Sequence, residues 1–397
     1  FIFRSKKKKI NQEKIQLIID DVDTKEIFWR LKKFAEKIGD YKVIVSYKTQ
    51  EPKTYFWNKY KNLDISKIFN NFKQIFFLIF LSLFYSIKEK TDFVGIIFNL
   101  NRKIIKYSDI FSNIQSDYLL QDRQFTTSNL KGYIFKKFGG FKTILYQRNI
   151  AQLNGPGMYC NSDYFFTLGN FTHKMYLKCE GKFEKIFPVG SFYMNSVLLK
   201  EGDANVPAFD LLHIASNMNF FQNTHNSFMN DWFEQFNWLV KFAKKFQKIK
   251  VGIKGREGDG LRGNKRFMDT IHNSPIKFID SFQDTNERNF KGNSLHSYEF
   301  AFKAKINCTW QSTMGFELIG HGKPCLFLDP GGRNIGFLPN DEFHNNLRVT
   351  TYDDFEKEYF LALENKSKVS NLNKDDYCLN SNLTHKRIID ILNNSKN

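Results

Sequence analysis

The sequence predicts an α/β protein built as two successive parallel sheets, and three observations carry that expectation. Short apolar runs alternate with longer helical patterns along most of the chain, the order that parallel pairing with right-handed crossovers requires. Regular structure breaks near 191–208, where Gly202, Asp203, Asn205 and Pro207 fall close together. A chain of 397 residues is also long enough for two separate cores. The expected division is 1–195, 208–380 and a tail at 381–397.

In the first half, residues 15–20 read as a strand, 24–38 as an amphipathic helix stopped by Gly39, and 41–47 as a second strand. A long helix is expected over 65–87, a third strand over 93–98, a helix over 128–138 and a fourth strand over 141–146. Residues 162–169 form a short strand ending in Gly169, a helix holding His173 follows, and 187–191 close the half. The run 74–85 is apolar yet too short to span a bilayer comfortably. It is expected as a buried helix, with an in-plane membrane contact as the competing reading.

The strand pattern restarts at 209–215, and Ser216 and Asn217 turn out of it into a polar loop. His213 lies within that strand and reads as a core histidine, whereas His225 sits in a polar loop and is the better acid or base candidate. An amphipathic helix over 230–246 leads to a strand at 250–254. Lys254 and Arg256 then stand at the carboxyl end, where open parallel sheets bind ligands; a solvated basic turn is the competing reading. Further strands are expected at 277–280 and 347–350, and helices opening at 295–300 and spanning 351–363.

The stretch 307–329 is the most informative. A strand end passes through Ser312 and Thr313 into a short apolar helix, which Gly320, Gly322 and Pro324 stop before a buried strand at 325–328. Helix N–H groups, the positive dipole end and two hydroxyls would converge on one anion. With Thr313 as the N-cap, Glu317 falls one turn inside, so its carboxylate can face the same crevice as Ser312 and accept both hydroxyls of a ribose diol. The competing reading is an ordinary helix cap with a solvated glutamate. The glycine-rich loop at 330–334 lacks a suitably spaced Walker lysine, which argues against an ATP cradle.

The pattern Ser312-Thr313-x-Gly315-x-Glu317, followed by Gly322-Lys323-Pro324 and an apolar strand, resembles the donor-binding segment of GT-B glycosyltransferases. Within them it is most similar to bacterial surface-carbohydrate enzymes and the related UDP-N-acetylglucosamine 2-epimerase group. The resemblance implies two Rossmann-like parallel-sheet domains facing a central cleft. It also implies a metal-independent glycosyltransferase that moves a sugar from a nucleotide-linked donor to a surface-glycan or lipid-linked acceptor. It assigns Glu317 to the nucleotide ribose and Ser312, Thr313 and Gly315 to the phosphates. Lys254 and Arg256 match a Lys-x-Arg or Lys-x-His position aimed at donor phosphates, and Ser216 and Asn217 stand on a cleft-facing loop where they are expected to touch donor phosphate. Where the family commonly carries Gln-His-Gly, this chain has Gln147-Arg148-Asn149, so no histidine acid or base is carried over. Arg148 is left to hold an acidic acceptor or a donor phosphate, or to be a surface arginine. The nucleotide-sugar donor is expected as co-substrate, with no cofactor. A nucleotide-sugar epimerase and a non-catalytic basic glycan-binding protein are the alternatives.

Composition narrows the partners. A formal net charge of +18 favours an anionic neighbour: the donor, an acidic glycan or an anionic membrane at its inner face. Nucleic acid is not expected, since no zinc-finger spacing or RNA-binding aromatic signature is present. The five cysteines are scattered without a C-x-x-C pair, which suits a reducing, cytoplasmic setting. No Asp-x-Asp motif lies in a suitable loop, and no metal is expected. The chain opens on Phe1 rather than Met, so a missing N-terminal segment is expected and no signal peptide can be read.

Overall fold

A computed structural model describes residues 14–22, 31, 34–45, 53–56, 72–121, 129–148, 160–172, 174, 177, 181–194, 208–215, 226–255, 261–279, 293–310, 312–332 and 347–395. The strands of the first half are β1 (Lys14–Val22), β2 (Tyr41–Val45), β3 (Thr54–Phe56), β4 (Gln115–Gln121), β5 (Lys142–Tyr146), β6 (Asn161–Thr167) and β7 (Lys182–Pro188). They form one sheet in the order β3-β2-β1-β4-β5-β6-β7, with every neighbouring pair parallel. Buried parallel strands carry near-continuous apolar runs because both faces are covered. Accordingly Leu17, Ile18 and Ile19 of β1 are all buried.

Three helices follow β3 and β4: α1 (Phe72–Glu89), α2 (Phe93–Asn113) and α3 (Asn129–Lys137). Tyr107, Ile110 and Phe111 of α2, with Ile134 and Phe135 of α3, cover Ile15, Ile18, Ile44 and Leu119 on one sheet face. The opposite face is covered by Leu31, Phe34 and Ala35 and by residues from the far end of the chain.

Two expectations for this half are overturned. The run 93–98 is the start of α2, not a strand: the Asp92 carboxylate accepts the Gly95 N–H at 2.8 Å and caps the helix. The central strand beside β1 is instead β4, whose sequence QSDYLLQ hides its register because the inward-facing Ser116 and Gln121 are polar and buried. Helix α1 exists, but it is not a buried helix. Phe76, Phe77, Phe80 and Phe84 are each more than half exposed.

The second sheet contains β8 (Leu211–Ile214), β9 (Val251–Lys254), β10 (Lys277–Ile279), β11 (Ile306–Thr309), β12 (Cys325–Leu328) and β13 (Arg348–Val349). Its order is β10-β9-β8-β11-β12-β13, again all parallel. Around it lie α4 (Asn226–Lys245), α5 (Lys265–His272), α6 (Asn293–Lys303), α7 (Thr313–Gly320) and α8 (Tyr352–Leu363). One core joins Trp232, Phe236 and Phe242 of α4 to the strands and α8.

The chain then returns to the first sheet. After α9 (Lys374–Tyr377), α10 (Thr384–Asn394) buries Ile388 and Leu392 against Val43, Tyr118 and Tyr146. The Tyr118 hydroxyl donates to the Leu392 carbonyl at 2.7 Å, and the Arg387 guanidinium donates to the Val189 carbonyl at 2.9 Å.

Candidate functional site

Strand order locates the crevices. In each sheet the connection direction reverses between two neighbours, β1 and β4 in the first and β8 and β11 in the second, and doubly wound sheets bind ligands outside the carboxyl ends at such a point. In the first sheet this position is filled by an ion pair. Lys131 reaches both oxygens of Asp20 at 2.8 and 2.6 Å, with both side chains buried. In the second sheet β11 leads straight into α7, so the stretch 307–329 sits at the switch point.

The helix starts one residue earlier than the sequence suggests. Ser312, extended at φ −140° and ψ 130°, is the N-cap, and its hydroxyl accepts the Met314 N–H at 3.3 Å; Thr313 is the first helical residue. Both are half-buried. Gly315 has a different reason for being glycine. A β-carbon there would meet the Phe327 ring at 2.6 Å and the Cys325 sulfur at 3.2 Å, so its smallness lets α7 lie on β12. Its N–H donates to the Ser312 carbonyl at 2.9 Å. At the other end a β-carbon on Gly320 would meet the Cys378 carbonyl at 2.2 Å.

Glu317 does not face an open crevice. It is 1% exposed and lies at the junction of the two halves of the chain. One carboxylate oxygen accepts from the Ser191 hydroxyl, just after β7, and the other from the Tyr298 hydroxyl of α6 at 2.5 Å. Ser191 Oγ also accepts the Met194 N–H at 3.1 Å, and the Ser191 N–H donates to Ser381 Oγ at 3.1 Å. Tyr146, at the carboxyl end of β5, completes the cluster: its oxygen accepts the Phe192 N–H at 2.9 Å. Burial first, and then the Glu317 charge, push the Tyr146 phenol well above its ordinary range, so it stays protonated.

The same junction is braced behind α7. His321, the C-cap, places Nδ1 2.7 Å from the Glu317 carbonyl, while its Nε2 accepts the Ser381 N–H at 3.0 Å. Those partners fix the Nδ1–H tautomer, and burial holds the ring's pKa below its usual value.

The remaining candidates fall in several places. Lys254 ends β9 but is only 2% exposed, with Nζ 5.8 Å from the Phe300 ring centroid, so it is not part of a solvated turn. Arg148 is half-buried after β5, its guanidinium 5.5 Å over the Tyr193 ring. Its neighbour Gln147 is buried and accepts the Leu168 N–H, a packing role. His213 is a core histidine, as its strand position suggests. Ser216, Asn217, His225 and Arg256 lie outside the described residues. Ser312 and Thr313 stand at the start of α7, whereas Glu317 lies farther along that helix in a buried cluster with Ser191 and Tyr298, with Tyr146 close behind. Of the three additional residues, Tyr298 stands in the stretch 295–300 expected to open a helix.

No model of a known protein family matches the chain, and no curated protein matches it either. Solved structures do. S. aureus MnaA in its co-structure with UDP superposes with a TM-score of 0.60 at 11% identity, over 96% of this chain and 97% of that one. The UDP-GlcNAc 2-epimerase from Neisseria meningitidis bound to UDP-GlcNAc gives 0.57 at 13% identity, over 97% and 100%. The wall teichoic acid polymerase TagF, as its H548A variant, gives 0.52 at 10% identity, over 97% and 90%. At such identities the likeness speaks for architecture. The chain has the GT-B-type fold of two parallel sheets that these structures share.

Proposed function

We propose that the chain is a glycosyltransferase that moves a sugar from a nucleotide-linked donor to a surface-glycan or lipid-linked acceptor, with Glu317 as its ribose acceptor. The observation that carries this reading is the pair of hydroxyls on the Glu317 carboxylate. Ser191 and Tyr298 offer one carboxylate two O–H donors from two elements, which is the chemistry of a ribose diol. A nucleoside replaces one or both of them, and the phosphates then fall one helical turn away, at Ser312, Thr313 and the start of α7. Departure of a nucleoside phosphate builds negative charge, and helix N–H groups and hydroxyls aimed at it lower the barrier. Lys254, Arg256, Ser216 and Asn217 are the further donor-side candidates, and Arg148 is the acceptor-side one.

Calorimetry with UDP tests the assignment. Glu317→Ala should weaken binding by about 1 to 3 kcal/mol, the usual cost of a lost charge-assisted hydrogen bond. Ser191→Ala removes a competing donor and should leave affinity unchanged or improved. Unchanged affinity in a folded Glu317→Ala protein would remove the ribose role.

The second reading is a nucleotide-sugar epimerase, favoured by the co-structures with UDP and UDP-GlcNAc among the similar folds. Incubation with UDP-, GDP- and CMP-sugars separates the readings. Nucleotide release that requires an acceptor supports transfer, and isomerised sugar without acceptor supports epimerisation. Absence of nucleotide binding supports a basic glycan-binding protein on the same scaffold.

A further inference from the structure

The hairpin of α1 and α2 turns its apolar side outward. On α1, Phe76, Phe77, Phe80 and Phe84 are 63, 63, 67 and 59% exposed, and Ile87 is 80% exposed. Positions 76, 80, 83, 84 and 87 recur at helical spacing and make one stripe, while among the described side chains of α1 the buried one is the small, polar Ser82. This inverts the usual arrangement of a surface helix. Past the turn, Ile96, Phe98 and Leu100 of α2 are exposed as well. The four phenylalanines alone leave on the order of 500 Å² of apolar area in solvent, the scale at which a patch marks an interaction surface.

Charge surrounds the stripe. The segment 72–113 carries six basic residues against Glu89, Asp92 and Asp109. Lys88 and Lys90 lie at the turn, Arg102 and Lys103 on α2, and all four are exposed. Direction follows from topology: α2 ends just before β4 begins, at the amino edge of a parallel sheet, so its first turns and residues 90–92 reach toward the carboxyl edge. The residues of α2 that bury against the sheet are all in its second half, Tyr107, Ile110 and Phe111. The hairpin therefore overhangs on the side where the crevice lies. No helix among the described residues is long and apolar enough to cross a membrane. An 18-residue helix, about 27 Å long, with aromatic residues outward and lysines at its end fits an in-plane position at a lipid interface.

We propose that the α1–α2 hairpin docks the protein on an anionic lipid surface. Phe76, Phe80 and Phe84 enter the boundary between headgroups and acyl chains, and Lys88, Lys90, Arg102 and Lys103 lie against lipid phosphates. A second copy of the chain fits this surface less well, because a two-fold interface would set the same basic residues against each other, whereas anionic lipid neutralises them. The docking is independent of the nucleotide assignment and brings the carboxyl edge of the first sheet next to the lipid.

Flotation of the full chain with vesicles tests it. The protein should float with vesicles of equal parts phosphatidylcholine and phosphatidylglycerol, and at least about tenfold less with phosphatidylcholine alone, since each basic residue near the surface adds to anionic attraction. The Phe76→Ser, Phe80→Ser, Phe84→Ser triple variant should lose binding about tenfold or more, with circular dichroism, melting temperature and UDP affinity unchanged. The Lys88→Glu, Lys90→Glu, Arg102→Glu, Lys103→Glu variant should lose the preference for phosphatidylglycerol, and it decides the matter if the first variant does not fold. Wild-type protein that stays with neither vesicle overturns the proposal, as does a triple variant that floats like wild type. A wild-type dimer that the triple variant converts to monomer, without lipid binding in either, assigns the surface to a second copy instead.

Discussion

Helices α1 and α4 have 18 and 20 residues and similar aromatic content, yet one shows its rings and the other hides them. In α4, Trp232, Phe233, Phe236, Trp238 and Phe242 are all buried, and Phe242 alone meets Phe246, Phe355 and Tyr359. In α1, Phe76, Phe77, Phe80 and Phe84 are each more than half exposed. The difference lies in what each helix offers on its other side. Helix α4 carries Asn230, Glu234, Asn237, Lys241, Lys244 and Lys245 as a polar face, so only one orientation buries apolar surface. Helix α1 is apolar nearly all round and has α2 as its main described neighbour, so packing one side of it leaves the other in solvent.

The largest effect should come from breaking the buried side of this comparison. Phe242→Ala should cost about 3 to 5 kcal/mol in urea unfolding, since the cavity lies between α4 and α8 where neither can collapse inward. A cost below about 1 kcal/mol would mean that α4 is not held as described.

Acid should loosen the same helix. His213 of β8 is fully buried with Nε2 2.7 Å from the Gln235 side-chain oxygen of α4, and its Nδ1 has no hydrogen-bond partner among the described residues. Gln235 also donates its amide to the Trp232 carbonyl at 2.9 Å, which leaves its oxygen to accept from a neutral ring. Burial pushes the His213 pKa down to about 4 from its ordinary 6.5. The folded value is the depressed one, so the unfolded chain takes the proton first. The contribution is complete above about pH 6.5 and is lost as pH falls toward about 4, roughly 3 kcal/mol in all. His213→Gln should flatten the slope of stability against pH in that window; an unchanged slope would assign the acid sensitivity elsewhere.

The smallest effect is expected on α1. Phe80→Ala should change stability by no more than about 0.5 kcal/mol, the range of ordinary surface substitutions. A loss of several kcal/mol would show that the stripe is covered in the folded chain and would remove the contrast with α4.

This contrast also explains what was legible beforehand. Apolar strands such as β1, β5 and β8 could be read because buried parallel strands carry unbroken aliphatic runs. Strand β4 could not, since its buried Ser116 and Gln121 look like a loop, and 93–98 misled because its Ile, Val and Phe content suits a strand while Asp92 supplies a helix cap. At the site, the position of α7 after a strand could be read from 307–329. The burial of Glu317 could not, because its partner Ser191 lies 126 residues away in sequence. Only tertiary folding brings that pair together, and no local pattern carries it.

Helix α10 has a consequence for how the protein is made. Ile388 and Leu392 of α10 belong to the core on one face of the first sheet, and the Tyr118 hydroxyl is satisfied by a carbonyl of that helix. Chains generally fold from the amino end as the ribosome extends them, but here the first sheet cannot complete its interior until α10 has emerged. We expect a released chain truncated after residue 380 to show a protease-sensitive first sheet beside a protected second one. Equal protection of both would mean that the first sheet matures without waiting for α10.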